Sequence, residues 1–179
     1  LNNALSTAKA AWIWQFMPET AKRFWLQVNE YVDERYNAEK STKAAIEYFK
    51  VLYKKFGNRT LVAASYNRWE NGIQQALNKQ NVKSFYDLYL NEETSRYVFR
   101  ILAIKYIMQD YEAKKWFIDK IIWEKYYPPK TKIIKVEKID NLYDFAKEHN
   151  ENYKTIKLLN PWIIWDSLPE WNWEIKIMK

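Results

Sequence analysis

The chain of 179 residues contains no cysteine, a single histidine and 2 glycines. Without cysteine there is no disulfide framework, no thiolate nucleophile and no thiolate metal site. One histidine, His149, removes the common zinc sets and the Ser-His and Cys-His pairs, so catalysis would rest on carboxylates and hydroxyls. No metal and no cofactor are expected. No apolar run reaches the roughly 18–20 residues of a membrane-spanning helix. The chain opens on Leu1, so the lack of a leader carries no weight. Glycine is the sharpest shortage, because an average usage of about 7% would place about a dozen here. Turns and helix ends need positive φ, which other residues seldom supply. Beside the 2 glycines stand 10 tryptophans.

The 29 Lys and Arg against 22 Asp and Glu give a net charge of +7, nearly all of it in residues 1–126. Such a surface suits an anionic polymer, whether nucleic acid, membrane face or acidic cell-wall glycan, and also suits a plain solvated helical surface. Helical spacing is clearest from Ser41 to Phe56, where Ala45, Phe49, Leu52 and Phe56 recur at steps of four, three and four. Ser41 is read as its N-cap and Gly57 as the glycine that ends it. Thr60–Tyr66 and Asn71–Lys79 read as short helices. Glu92–Asp110 reads as a longer one, with Tyr97, Ile101, Ile104 and Met108 as its buried stripe, and Pro18 marks another helix start. Pro128-Pro129 breaks the pattern. After it, Lys132–Ile139 reads as a strand, Leu142–Glu148 and Tyr153–Leu159 as helices, and Trp173–Ile177 as a closing strand.

Four separated segments resemble one family. They are Ala4-Leu5-Ser6-Thr7-Ala8 with Ile13-Trp14-Gln15-Phe16-Met17-Pro18, Val32-Asp33-Glu34-Arg35 with Glu39-Lys40-Ser41-Thr42, Ala64-Ser65-Tyr66-Asn67-Arg68, and Glu93-Thr94-Ser95-Arg96-Tyr97-Val98. In order and spacing they resemble the soluble-type lytic transglycosylases, in the subgroup similar to membrane-bound lytic transglycosylase D. The resemblance implies a mainly α, lysozyme-like domain over residues 1–126. It implies cleavage of the β-1,4 bond between N-acetylmuramic acid and N-acetylglucosamine of peptidoglycan, leaving a 1,6-anhydro end. In that chemistry one Glu of raised pKa protonates the leaving oxygen and then acts as base toward the C6 hydroxyl. The substrate's acetamido group replaces the second carboxylate of the usual glycosidase pair.

Matching Ser6 and Gln15 to the family pattern places that Glu four positions before Leu1, so no catalytic acid is expected in this chain, which as it stands would be inactive. Glu19, Glu30 and Glu34 are read as helix-start and surface carboxylates. By the same matching, Ser6 supports the acid, while Gln15, Met17, Tyr66, Asn67 and Tyr97 face the substrate. Read without the family, Met17 and Tyr97 would be core, Gln15 an exposed polar residue and Tyr66 a packing residue with a satisfied hydroxyl.

Beyond a linker at 127–132, residues 133–179 resemble a LysM-like module of βααβ order. Leu142-Tyr143-Asp144-Phe145-Ala146, Tyr153 and Leu158-Leu159-Asn160-Pro161 carry the match. Such a module implies a grip on N-acetylglucosamine chains, its tether raising the local concentration of glycan. His149 is read as a solvated polar residue. The expected partner is the peptidoglycan strand, for a monomer in the cell envelope, periplasmic or wall-associated, with no nucleic-acid partner and no integral membrane segment. A non-catalytic glycan-binding or scaffolding protein on the same fold is the alternative.

Against the motifs, Trp12, Trp25 and Trp69 stand where the family has glycine. Trp165 and Trp171 fall where turns expect it, and Trp116 is a further candidate. Trp14, Trp162 and Trp173 sit where an aromatic belongs. Sugar stacking, deliberate mutation and decoding of UGA as tryptophan in place of glycine are the three explanations, and the last is preferred because stacking would not select glycine positions. It expects positive φ or forced exposed indoles there. Lys9, also at a family glycine, is not explained by it.

Overall fold

The computed structural model describes residue 6 and residues 9–109, 115 and 127–179. Among them are seven α-helices and a two-stranded sheet. The helices are α1 (Pro18–Arg23), α2 (Ala38–Phe56), α3 (Arg59–Arg68), α4 (Glu70–Gln80), α5 (Glu92–Gln109), α6 (Leu142–Glu148) and α7 (Tyr153–Leu159). The strands are β1 (Thr131–Val136) and β2 (Trp173–Met178). The fold is mainly helical, as expected. Two compact units divide the chain: residues 1–47 with 128–179, and residues 48–127.

In the first unit β1 and β2 pair antiparallel, from Thr131 opposite Met178 to Val136 opposite Trp173. Alternation along β2 buries Trp173, Ile175 and Ile177 against α6 and α7. Asn141 and Asn152 cap the two helices through their side chains, so the short helices begin where a local signal sets them. The first strand stops at Val136 rather than Ile139. Ile139 instead makes an isolated bridge with Leu168. Val32 is fully buried in this core beside Leu142, Ile156 and Ile163.

The second unit packs α3, α4 and α5 around Leu61, Ala64, Ile73, Leu77, Phe85, Leu90 and Val98. Asn58 caps α3, and Gly57, at φ 62, ends α2 as expected. Ser41 does not cap α2. The helix begins three residues earlier, the Asn37 side chain accepts from the Lys40 N–H, and Ser41 is buried with its hydroxyl donating to the Asn37 carbonyl. The expected stripe of α5 is also displaced. Thr94 and Val98 are its buried residues, whereas Ile101, Ile104 and Met108 are exposed.

The described tryptophans divide into three groups. Trp162 and Trp173 are buried, their rings stacked at 5.8 Å, and the Trp14 indole donates to Thr42 Oγ1 at 2.9 Å. Trp12, Trp25 and Trp69 have φ of 58°, 68° and 74°, a region that a bulky residue adopts only as an outlier. Lys9 lies there too, at 65°. Trp165 and Trp171 keep negative φ but are exposed, so of the two alternatives expected there the exposed indole is found and positive φ is not. Trp116 lies outside the described residues.

Candidate functional site

Three of the expected site residues lie on or beside one loop of the first unit. The Ser6 hydroxyl accepts from the Ala10 N–H at 2.9 Å and its carbonyl from the Lys9 N–H at 2.8 Å. Ala11 and Phe16 then pair across a loop in which the Gln15 N–H reaches the Trp12 carbonyl. Gln15 is exposed at the loop's end, at φ 48°, and its side-chain amide also donates to the Trp12 carbonyl. Met17, half-buried, precedes Pro18 and is the N-cap residue of α1 in extended conformation. An exposed amide and a half-buried thioether thus lie two positions apart at the start of α1.

The other three lie in the second unit. Tyr66, near the end of α3, stacks on Phe49 at 4.7 Å and tilts against Tyr48 at 5.4 Å. Burial, followed by the neighbouring Tyr97 and Tyr48 phenols, pushes the Tyr66 phenol far above its usual range. Burial likewise raises Tyr97 on α5. Both phenols are therefore neutral donors at physiological pH, suited to hydrogen-bonding an oxygen rather than to accepting a proton. Asn67 follows on the same helix, half-buried. The structure brings Tyr66 and Tyr97 into electrostatic reach of one another.

Sequence reasoning missed a buried ionic cluster at Asp33, Glu34 and Arg35. Glu34 is not a surface carboxylate: it is 2% exposed, one oxygen accepting from the Gln27 N–H at 2.8 Å and the other from the Lys40 ammonium. Arg35 is buried, its Nε and Nη2 donating to the two oxygens of Asp33 at 2.8 and 2.6 Å. Its Nη1 donates to the carbonyls of Lys9 and Phe16 at 2.6 and 3.0 Å, one at each end of the loop bearing Gln15. Three adjacent charged residues between Val32 and Tyr36 are a signal only in hindsight, since surface loops carry such runs too. His149, read as solvated, is half-buried with Nδ1 at 2.9 Å from the Phe145 carbonyl and its ring against Phe145.

Loop, tyrosine pair and ionic cluster fall within the stretch that matches the family model described as "Transglycosylase SLT domain", residues 1–88, except for Tyr97 beyond it. The chain carries a transglycosylase SLT domain. Residues 132–177 match "Soluble lytic transglycosylase C-terminal LysM-like domain". Over 113 residues, 60% of the chain, it is 36% identical to membrane-bound lytic murein transglycosylase D of Escherichia coli K12, and equally to the protein of that name from E. coli O6:H1. The match spans only 25% of each of those relatives. The SLT domain contributes residues to both compact units, and no helix among the described residues is long and apolar enough to cross a membrane.

Proposed function

We propose that the chain is the glycan-handling part of a peptidoglycan lytic transglycosylase of the cell envelope. The observation that carries this reading is the SLT match over residues 1–88. The polar loop end at Gln15 and the neutral Tyr66 phenol, expected to face substrate, support it. In this reading Gln15 bonds a sugar hydroxyl or acetamide, Met17 packs on a pyranose face, and Tyr66 donates to an oxygen near the reacting centre, with Asn67 and Tyr97 beside it. Ser6 steadies the acid. That acid, a Glu, would by the family pattern stand four positions before Leu1. It protonates the glycosidic oxygen, the C1–O bond breaks, and the C6 hydroxyl closes onto C1 as the same Glu recovers its proton. Nothing is hydrolysed, and the new end is a 1,6-anhydro sugar.

Glu34 has no part in this chemistry, since both of its oxygens already accept hydrogen bonds within the fold. The domain boundaries that accompany the reading are 1–126 for the transglycosylase part, a linker at 127–132 and the module from 133. Digestion of purified sacculi by the protein extended upstream to include the Glu, followed by mass analysis of the muropeptides, tests the activity. 1,6-Anhydro products that vanish in Tyr66→Phe or Gln15→Ala are expected. Reducing-end products alone, or none, would overturn it.

A further inference from the structure

Residues 31–35 face two ways. On one side the main chain is joined to the LysM-like domain: the Asp33 N–H donates to the Trp162 carbonyl at 2.8 Å, the Ile164 N–H to the Tyr31 carbonyl at 2.8 Å, and Val32 bridges Ile163. Val32 fills the core of that domain, and the Lys157 ammonium fixes the same connection through the carbonyls of Ile163 and Ile164 at 2.8 and 2.9 Å. On the other side Asp33 holds Arg35, and Arg35 holds both ends of the loop from Lys9 to Phe16. That loop has positive φ at Lys9, Trp12 and Gln15. Backbone in such regions persists only where its surroundings over-determine it.

We propose that the LysM-like domain braces the glycan-facing loop through Val32, Asp33 and Arg35, and that Arg35 is a positioning residue for Gln15. The glycan-facing part of this statement rests on the function proposed above. A module acting only as a tether needs no main-chain bonds to residues 31–33, and its connection to β2 would be left free. The guanidinium is required because a lysine offers no planar fork to reach two carboxylate oxygens and two carbonyls at once.

Amide hydrogen exchange on the full chain tests the brace, with N-acetylglucosamine tetramer as binding probe. Arg35→Lys should speed exchange at Ala11 and Gln15 by roughly tenfold while leaving Ile164 protected. Val32→Ala, which keeps the charges and serves if the arginine variant does not fold, should speed Ile164 and, with it, Ala11 and Gln15. Tetramer affinity should fall in both. Unchanged protection of Ala11 in Arg35→Lys, or loosening of Ile164 in Val32→Ala without the loop, would overturn the brace. A parent chain that binds no tetramer would instead sink the glycan reading, and exchange would still judge the brace.

Backbone dihedrals at three tryptophans carry a second, independent inference. Trp25 sits just past the end of α1, where the Trp25 N–H reaches the Lys22 carbonyl and the Leu26 N–H the Ala21 carbonyl. This is a Schellman ending, whose left-handed position glycine usually fills. Trp69, at φ 74° and ψ 140° between α3 and α4, borders a region almost reserved to glycine. The Trp25 indole is 89% exposed, so packing does not compensate for its backbone. We infer that residues 12, 25 and 69 are glycine in the protein as its own ribosomes make it, from UGA codons. Gene sequence and peptide masses from the native source decide the matter. Expected are UGA codons and glycine masses at these three, with UGG at Trp14, Trp162 and Trp173; UGG or tryptophan masses at 12, 25 and 69 would overturn the inference.

Discussion

Helices α1 and α6 end in the same hydrogen-bonding pattern with different residues. After α6, the Asn150 N–H reaches the Lys147 carbonyl and the Glu151 N–H the Ala146 carbonyl, with Asn150 at φ 57°. After α1, Trp25 occupies the corresponding place at φ 68°. Asparagine tolerates the left-handed region because its short side chain bonds locally, whereas an indole gains nothing there. The contrast extends to the surrounding regions. In the LysM-like domain, caps at Asn141 and Asn152 and an alternating strand specify the structure locally. In the SLT loop the backbone runs against local preference, and a distant guanidinium holds it in place.

Breaking the distant tie should therefore cost more than breaking a local one. Arg35→Ala leaves the Asp33 carboxylate buried without its partner and frees two carbonyls, so a loss of about 3–5 kcal/mol is expected in denaturant unfolding. A loss below that of the next variant would reverse the comparison. In the LysM-like domain, Asn160 is buried and its side chain makes three hydrogen bonds, to the Ile156 and Lys176 carbonyls and from the Lys176 N–H. Asn160→Ala should cost about 1–3 kcal/mol by stranding those groups.

The same contrast decides what the sequence could reveal. Both helices of the LysM-like domain run over the residues read for them, because their caps and apolar spacing lie within a few positions of the helix. The Asp33–Arg35 clamp was illegible, since it acts on main-chain carbonyls 26 and 19 residues away and any residue type supplies a carbonyl. Periodicity found α5 but misplaced its buried face, because a mixed helix offers several stripes and only the packing partner selects one. Ser41 lost the cap to Asn37, another good capping residue, which lay upstream. The tryptophans at 12, 25 and 69 were legible as glycine positions through the motifs, and backbone geometry agrees. At 165 and 171 the exposed indoles agree with that reading, and the backbone, at negative φ, does not.

Smaller effects follow at the two helix ends themselves. Trp25→Gly should stabilise by about 1–2 kcal/mol, the cost of holding an L side chain in the left-handed region. Asn150→Gly should change stability by a few tenths of a kcal/mol, because asparagine already accepts that conformation. Equal gains at both positions, measured as shifts in unfolding midpoint, would show that the Trp25 backbone is unstrained.

Alkaline pH separates the two regions more gently. The Tyr153 hydroxyl donates to Asp166 at 2.5 Å, and this bond, followed by burial and the carboxylate's charge, raises the phenol above its ordinary value of 10.0. The folded phenol therefore keeps its proton where the unfolded one loses it, so its contribution is complete below pH 10 and fades as pH climbs past it. Asp166 also offers its carbonyl to the Leu142 N–H at 2.7 Å, so loosening should reach the start of α6. Exchange at Leu142, compared with parent and corrected for intrinsic rates, should quicken above pH 10 and lose that dependence in Tyr153→Phe. Ala11, whose N–H donates to the Phe16 carbonyl at 3.1 Å, should show no matching dependence. A parallel change at Ala11 would mean that the two regions open together, and the distinction between a locally specified domain and a braced loop would fall.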